Sequence, residues 1–199
     1  RSFLFSSTSD ADIPTDYAVF SVLYETANKF NIKYILSGHS FRTELTTPLY
    51  WTYMDGKYVR DVHNKYGTID KIKSFPIMTA DKLIYYSILR GIKFVDFLET
   101  IPFNKEKIMK LLEEKLDWKY YGGHHHDNNY TVFFQSEYLP TKFGIDKRLR
   151  ELSALILSKQ ITRKEANKIL ENPYPINSDL NQFVLNKLDI SESDFKKII

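Results

Sequence analysis

The chain has 199 residues, a hydrophobic fraction of 43% and a formal net charge of +3 at pH 7. This length fits one domain, or one domain with an appendage, and no basic block is long enough to indicate nucleic acid as a partner. The absence of Cys excludes disulfides, a thiolate nucleophile and a Cys-based zinc site, and it fits a cytoplasmic protein. No apolar run approaches the ~18 residues of a membrane span.

The first part of the chain predicts a helix followed by a strand. Residues 2–7 fit either a strand or a helix end. A helix is predicted over about 15–30, and its buried face is expected to carry Val19, Val22, Leu23, Ala27 and Phe30. The apolar run that follows predicts a buried strand over 33–37. This order is the second half of a βαβ unit, so the fold class is predicted to be α/β with a parallel sheet.

Helix patterns dominate the rest of the chain. Helices are predicted at about 56–66, 79–90, 104–116, 128–139, 146–158, 178–188 and 192–198. Asn104 and Asp146 are predicted N-caps, and Thr162 with Glu165 matches a capping box. The segment 71–76 fits a loop or a short strand, and 93–98 fits a strand or a continued helix. We therefore divide the chain into an α/β part, 1–66, and a mostly helical part, 67–199.

A polar stretch follows the predicted strand directly. It contains Ser37, Gly38, His39, Ser40, Arg42, Thr43 and Glu44. Ligands of open α/β sheets bind beyond the carboxyl ends of the strands, and a glycine allows the backbone to approach a ligand closely. The pattern therefore predicts a ligand-binding loop. A polar loop that only caps the strand is the simpler alternative.

A second polar cluster, His124, His125, His126 and Asp127, follows two glycines and precedes a predicted helix. Such a helix start favours anions, which indicates a substrate or phosphate contact. A surface loop is an alternative, and so is a metal site, although adjacent histidines diverge in either regular geometry. Lys147, Arg148 and Arg150 open the next helix. Guanidinium groups suit phosphate or carboxylate, and an ordinary charged helix start is the alternative.

Several of these motifs, taken in order, resemble the N-acetyl sugar amidotransferase family of the ATP-pyrophosphatase group. The resemblance rests on the segments 14–16, 34–39, 42–44, Trp51, Trp118, 121–127, 130–131, 134–135, 143–148, 152–153, 161–163 and 165–166. It covers nearly the whole chain. It implies the C-terminal part of a Rossmann-like ATP-pyrophosphatase domain, followed by a mostly helical substrate region.

The resemblance also implies a reaction. ATP would activate the acetamido group of a nucleotide-linked sugar, and ammonia from a separate glutaminase partner would then give an acetamidino group for lipopolysaccharide or flagellar glycans. Nucleotide-binding candidates are Ser37, Gly38, His39, Ser40, Arg42 and Thr43, and catalytic candidates are Glu44, His39 and His125. Substrate-binding candidates are His124, His126, Asp127, Lys147 and Arg148. ATP and Mg²⁺ are the implied cofactors, with Glu44 as the candidate Mg²⁺ ligand.

The family's phosphate loop and its N-terminal cysteine pair precede the motifs found here. We therefore expect both to lie upstream of Arg1, and we expect the 199-residue chain to be inactive alone. Two alternatives stay open at this point. One is a related ATP-pyrophosphatase that modifies tRNA, although the chain has no Cys and no basic stripe for it. The other is a helical binding module without catalytic activity.

Overall fold

A computed structural model describes residues 1–44, 55–69 and 72–199. Trp51 of the resemblance motifs and Lys71 of the predicted 71–76 segment lie outside the described residues. The structure is mostly helical, at 60%, with a small two-stranded parallel sheet, so it shows a mixed composition of helix and strand. None of its described helices combines the length and the apolar character needed to cross a membrane.

The elements follow one another in this order. They are α1 (Ser2–Phe5), α2 (Ile13–Lys29), β1 (Tyr34–Ser37), α3 (Phe41–Glu44), α4 (Gly56–Tyr66), α5 (Ala80–Ile84), β2 (Lys93–Asp96), α6 (Lys105–Leu116), α7 (Asn129–Phe133), α8 (Leu139–Phe143), α9 (Arg148–Leu157), α10 (Arg163–Leu170), α11 (Ser178–Lys187) and α12 (Glu192–Ile198). A π-helical turn, Tyr85–Leu89, extends α5, and a second, Phe134–Tyr138, joins α7 to α8. A 3₁₀ turn, Phe97–Thr100, follows β2.

The described residues group into two compact units that interleave along the sequence. The first unit contains residues 1–37, 55–69, 72–95 and 192–198, and the second contains 38–44, 96–191 and 199. The predicted domain boundary after residue 66 stays a prediction.

The first unit packs two helices and the sheet around aromatic side chains. Tyr24 of α2 stacks on Tyr86, with ring centres 6.1 Å apart, and on Phe94 of β2 at 6.2 Å. The backbone N–H of Lys93 donates to the carbonyl of Lys33 at 2.8 Å, which sets the pairing of β1 with β2. The predicted strand is therefore confirmed, but only Ile35 of its apolar run is buried.

The predicted buried face of α2 is confirmed at Ala27 and wrong at its other four positions. Val19, Val22, Leu23 and Phe30 are exposed, whereas the buried positions are Ile13, Tyr17, Ser21, Tyr24 and Ala27. Apolar residues lie on more than one side of this helix, so spacing alone selects the wrong stripe. The large tyrosines define the true face because they pack into the aromatic core of the unit.

Three predicted helix starts are confirmed by side chains that cap them. The Asp55 carboxylate accepts the N–H of Lys57 at 2.8 Å, and the Asn104 amide oxygen accepts the N–H of Lys107 at 3.0 Å. Thr162 and Glu165 form the predicted capping box at the start of α10. Each of these caps satisfies backbone N–H groups that have no partner inside the helix, which explains why local sequence predicts them.

The second unit has its core on the helix that runs through residues 129–143. Its fully buried side chains are Phe133, Phe134, Tyr138 and Leu139. The predicted end of this helix at 139 is wrong, because α8 continues across Pro140 to Phe143. Proline fits the first turn of a helical segment, and the preceding π-helical turn provides that position. Gly144 then ends the helix with φ at +64°.

The apolar spacing in α6 predicts that Ile108, Leu111, Leu112 and Leu116 face inward, and this prediction is also wrong for part of the helix. Leu111 and Leu116 are exposed, Leu116 at 71%, and none of the residues of α6 is fully buried. The helix is held at its start, where the Lys105 N–H donates to the side chain of Gln160 at 2.7 Å. This end of α6 brings the Lys105 side chain to the site described below.

Candidate functional site

The short helix α3 is anchored by several contacts within the second unit. The buried Ser40 hydroxyl accepts the N–H of Arg42 at 3.2 Å. The Arg42 guanidinium donates to the carbonyls of Leu98 and Ile101 at 2.9 and 3.2 Å. The helix α3 also packs against α9. These contacts fix the orientation of Glu44, which ends the helix.

Three histidines surround the Glu44 carboxylate. Its Oε2 lies 3.9 Å from Nε2 of His39, 3.9 Å from Nε2 of His124 and 4.0 Å from Nε2 of His125. Glu44 and His124 are largely buried, whereas His125 is 55% exposed. The two polar clusters of the sequence therefore meet at one carboxylate.

The backbone before α7 is irregular, and this explains how neighbouring histidines converge. Gly122 has φ at +94° and His125 has φ at +60°, so the chain turns twice within four residues. The rings of His124 and His125 lie with their centres 3.9 Å apart. The premise that adjacent histidines diverge holds for helices and strands, and it fails in this turn.

His124 stays uncharged in this environment. Burial, with a smaller effect from the positive charges of His125, Arg150, Lys105 and Lys147, lowers its pKa to about 2. Its Nε2 atom is buried and has no hydrogen-bond partner among the described residues. A neutral imidazole with an unsatisfied nitrogen therefore faces the Glu44 carboxylate.

His126 has a different role from its two neighbours. Its Nε2 lies 3.0 Å from the hydroxyl of Tyr174, and that hydroxyl donates its one proton to the Gln135 side chain at 3.0 Å. Nε2 of His126 therefore carries a proton and donates to Tyr174. Burial lowers the pKa of His126 and raises that of Tyr174, so both groups are neutral near pH 7.

Arg148 is held by its own helix start. Its Nε donates to both oxygens of the Asp146 carboxylate, at 3.1 Å each. Its Nη2 donates to Oδ2 of the same carboxylate at 2.7 Å. Its guanidinium carbon lies 4.8 Å from the centre of the Tyr174 ring. The side chain is therefore fixed by a charge pair and by an aromatic face.

A cavity of about 330 Å³ lies beside these groups, within the second unit. Its polar wall is formed by Lys105, His124, His126, Arg148, Glu151 and Tyr174. Its apolar wall includes Leu152, Leu155 and Ile169, and Lys105 forms an ion pair with Glu151 across α6 and α9. A mostly apolar cleft with a few convergent polar groups is the usual form of a small-molecule site.

The structure brings together most of the predicted site residues of the second unit. His39, Glu44, His124 and His125 form one cluster, and His124, His126 and Arg148 line the cavity. Asp127 is exposed and is not part of the cavity lining, and the Lys147 ammonium lies 5.6 Å from the ring centre of Phe134. Ser37 ends β1 in the first unit. The nucleotide-binding roles of residues 37–43 stay predictions.

Sequence reasoning missed Lys105, Tyr120, Glu151 and Tyr174 as lining residues. Tyr174 lies between two prolines, in Pro173-Tyr174-Pro175, and this rigid setting was the one local signal available. Its partner Gln135 is 39 positions earlier in the chain, so spacing does not reveal the contact.

The donor set around Glu44 suits one class of metal better than another. One carboxylate and imidazole nitrogens surround this position, and the donor atoms of Glu44, His124 and His125 all lie within 4.8 Å of one another. Mg²⁺ prefers oxygen ligands and keeps several waters, so these residues do not fit it well. Imidazole nitrogen suits transition metals.

Comparisons with known proteins extend these observations to the C-terminal part of the chain. Residues 127–199 match a family model described as "LPS biosynthesis protein WbpG-like, C-terminal domain". The matched segment begins at Asp127, directly after the histidine run, and includes Arg148 and Tyr174. Comparison with curated proteins and with solved structures gave no match.

Proposed function

We propose that this chain acts in an ATP-dependent amidotransferase of lipopolysaccharide biosynthesis, whose substrate is a nucleotide-linked N-acetyl sugar. In the first step the amide oxygen of the acetamido group would attack the α-phosphate of ATP, releasing pyrophosphate and a proton. In the second, ammonia would displace AMP from the adenylated carbon, leaving an acetamidino group. A separate glutaminase would supply the ammonia.

The observation that carries this proposal is that His124 lies beside the Glu44 carboxylate and also lines a cavity whose wall includes His126 and Arg148. These residues carry part of the resemblance to N-acetyl sugar amidotransferases, and they are far apart in sequence. The match of residues 127–199 to an LPS biosynthesis domain independently supports a role in glycan synthesis. That context favours a sugar substrate over tRNA.

The chemistry of the cavity is compatible with a sugar and its phosphates. Tyr120 and Tyr174 provide aromatic surface, and Lys105 and Arg148 provide positive charge. In the proposal, His124, His126, Asp127, Lys147 and Arg148 bind the sugar nucleotide, and Ser37, Gly38, His39, Ser40, Arg42 and Thr43 bind ATP. Mg²⁺ bound with ATP would neutralise phosphate charge.

The proposal assigns proton transfer to the Glu44 cluster. Attack by ammonia on the adenylated carbon requires a base for the proton that the new nitrogen loses. His125 is half exposed and His39 lies beside the same carboxylate, so either imidazole would be within reach of a proton leaving the cavity. The Glu44 carboxylate would stabilise the imidazolium that forms.

The experiment uses the protein encoded by the complete gene, with ATP, MgCl₂, ammonium and uridine-diphosphate N-acetylhexosamines. We expect AMP to form only when both sugar nucleotide and ammonium are present, and pyrophosphate to form when sugar nucleotide is present. Mass spectrometry of the sugar is expected to show exchange of one oxygen for an NH group. AMP formation that depends on tRNA instead would contradict the proposal and support the tRNA-modifying alternative. A complete protein that forms no AMP with either substrate would favour the binding module.

A further inference from the structure

We propose that Glu44, His124 and His125 form a binding site for a transition-metal cation of the zinc class. This inference goes beyond the proposed amidotransferase, whose chemistry does not require such a site. With a cation bound at His125, His39 would be the base of the Glu44 cluster. It concerns three side chains of the second unit and can be tested by metal binding alone, without any catalytic assay.

The first argument is the distance between the donor atoms. Ligands at about 2.0–2.1 Å from a tetrahedral Zn²⁺ lie about 3.4 Å from one another. The Glu44 Oε2 lies 3.9 Å from the Nε2 of His124 and 4.0 Å from the Nε2 of His125. Small rotations of the side chains would close this difference. The exposed position of His125 leaves its ring room to move.

The second argument is the unsatisfied nitrogen of His124. Nε2 of this residue is buried and has no hydrogen-bond partner within the described parts of the chain. At 3.9 Å the Glu44 carboxylate is too far for a hydrogen bond. Buried polar atoms without a partner are rare in folded proteins, and an ion or a water is a usual explanation. A cation between the two groups would satisfy both.

The third argument is the backbone that presents the two histidines. His125 has φ at +60°, a conformation that is uncommon for residues other than glycine. This turn directs two consecutive rings toward one carboxylate, with ring centres 3.9 Å apart. Such conformations cost free energy and cluster at ligand-binding positions.

The identity of the metal follows from the donors. Two imidazoles and one carboxylate are the protein ligands of many catalytic zinc sites, which leave a fourth position for water or a substrate atom. An imidazole ligates a metal through a nitrogen that carries no proton, and the buried Nε2 of His124 has no hydrogen-bond partner among the described residues. Lys105, Lys147 and Arg150 act on His124 with positive charge, so the Glu44 carboxylate has to supply the attraction for a dication.

The test measures Zn²⁺ binding to the 199-residue chain after treatment with a chelator, by competition with a chromogenic chelator. We expect one equivalent of Zn²⁺ to bind. Glu44→Gln, His124→Asn and His125→Asn should each weaken binding by at least about tenfold. His126→Asn is the matched control from the same histidine run, because His126 donates to Tyr174 and is not one of the three ligands. Its affinity for Zn²⁺ should stay unchanged.

A fold control and a spectroscopic readout complete the test. Circular dichroism of each variant shows whether it folds, and the exposed His125→Asn variant is the one least able to disturb packing. Co²⁺ bound to the wild-type chain is expected to give the strong visible absorption of a four-coordinate site. Failure of the wild-type chain to bind Zn²⁺ saturably would overturn the inference. Binding that persists unchanged in folded His125→Asn and Glu44→Gln variants would overturn it as well.

Discussion

The guanidinium carbon of Arg148 lies 4.8 Å from the centre of the Tyr174 ring, and both side chains line the same cavity. Arg148 begins α9, whereas Tyr174 lies in the loop between α10 and α11. The Asp146 carboxylate accepts hydrogen bonds from the same guanidinium, so the Arg148 side chain is held by a carboxylate and by an aromatic ring. This geometry requires the planar, forked shape of arginine.

Arg148→Lys therefore tests the wall of the cavity. Lysine keeps the charge and loses both the two-pronged contact with Asp146 and the planar stacking on Tyr174. We expect the affinity for a uridine-diphosphate N-acetylhexosamine to fall by about tenfold, the equivalent of one charge-assisted hydrogen bond. Isothermal titration measures this. Arg163→Lys, at the exposed start of α10, is the control, and equal affinities of the two variants would remove Arg148 from the substrate site.

Gly123→Ala tests the histidine turn. A Cβ at this position would overlap the His126 ring, so the ring has to move and its hydrogen bond with Tyr174 is lost. We expect a loss of about 1–3 kcal/mol in the free energy of unfolding, measured with urea. Gly38→Ala is the matched control, because a Cβ there meets nothing within 4 Å, and it should change stability by at most about 0.5 kcal/mol. Similar losses of unfolding free energy in Gly123→Ala and Gly38→Ala would contradict the close packing of Gly123 against the His126 ring.

Thr162→Ala tests the capping box of α10. The Thr162 hydroxyl accepts the N–H of Glu165 at 3.2 Å, and the Glu165 carboxylate accepts the N–H of Thr162 at 2.7 Å. Removal of the hydroxyl leaves a helix N–H without its partner, and we expect a loss of about 1 kcal/mol in thermal or urea unfolding. Glu165→Gln keeps a side chain that completes the box, so its effect should be clearly smaller. A larger loss of stability in Glu165→Gln than in Thr162→Ala would show that the carboxylate charge, not the cap, stabilises this helix.

Tyr58, in the first unit, is expected to make the stability of the chain depend on pH. Burial raises its pKa to about 12, and its hydroxyl donates to the Asp10 carboxylate at 2.9 Å. In the unfolded chain the Tyr58 phenol has an ordinary pKa near 10, so as pH rises it loses its proton in the unfolded chain before it does so in the folded chain. The stabilisation is therefore fully present below pH 10 and is lost as pH rises toward 12.

Urea midpoints of the wild-type chain and of Tyr58→Phe, measured from pH 8 to pH 11, check this expectation. The phenylalanine variant keeps the ring that meets Phe3 edge to face, with ring centres 5.4 Å apart. Its stability should decline less steeply above pH 10 than that of the wild-type chain. Parallel declines in the two proteins would place the alkaline sensitivity in other groups.

Local chemistry explains which parts of the fold the sequence predicts well. Asp55, Asn104 and Thr162 satisfy N–H groups two or three residues away, so a short window of sequence contains the whole interaction. The burial of α2 and α6 depends on which neighbours cover them. That is a tertiary property, so periodicity alone assigned Val19 and Leu116 to the core incorrectly.

In the site, too, the sequence predicts the local features and not the tertiary contacts. The sequence predicts that the Glu44 and histidine segments carry ligand-binding groups, because their residue types and glycines are visible locally. It does not predict that the two segments meet, since Glu44 and His124 are 80 positions apart. The histidine segment also contains a turn with left-handed backbone at His125, which spacing does not predict. Tyr174 is missed for the same reason, because its hydrogen-bond partners His126 and Gln135 lie in the turn before α7 and in the π-helical turn after it.

The most direct test of the central claim is the rate of AMP formation by the complete protein carrying Glu44→Gln. Removal of one stabilising charge from an active site lowers the rate by about 10²-fold or more, and we expect that loss here with an unchanged thermal midpoint. Glu171→Gln, an exposed carboxylate at the end of α10, is the control and should keep the wild-type rate. A rate for Glu44→Gln equal to that of the wild-type protein would contradict the claim that the Glu44 cluster and its cavity form the active site.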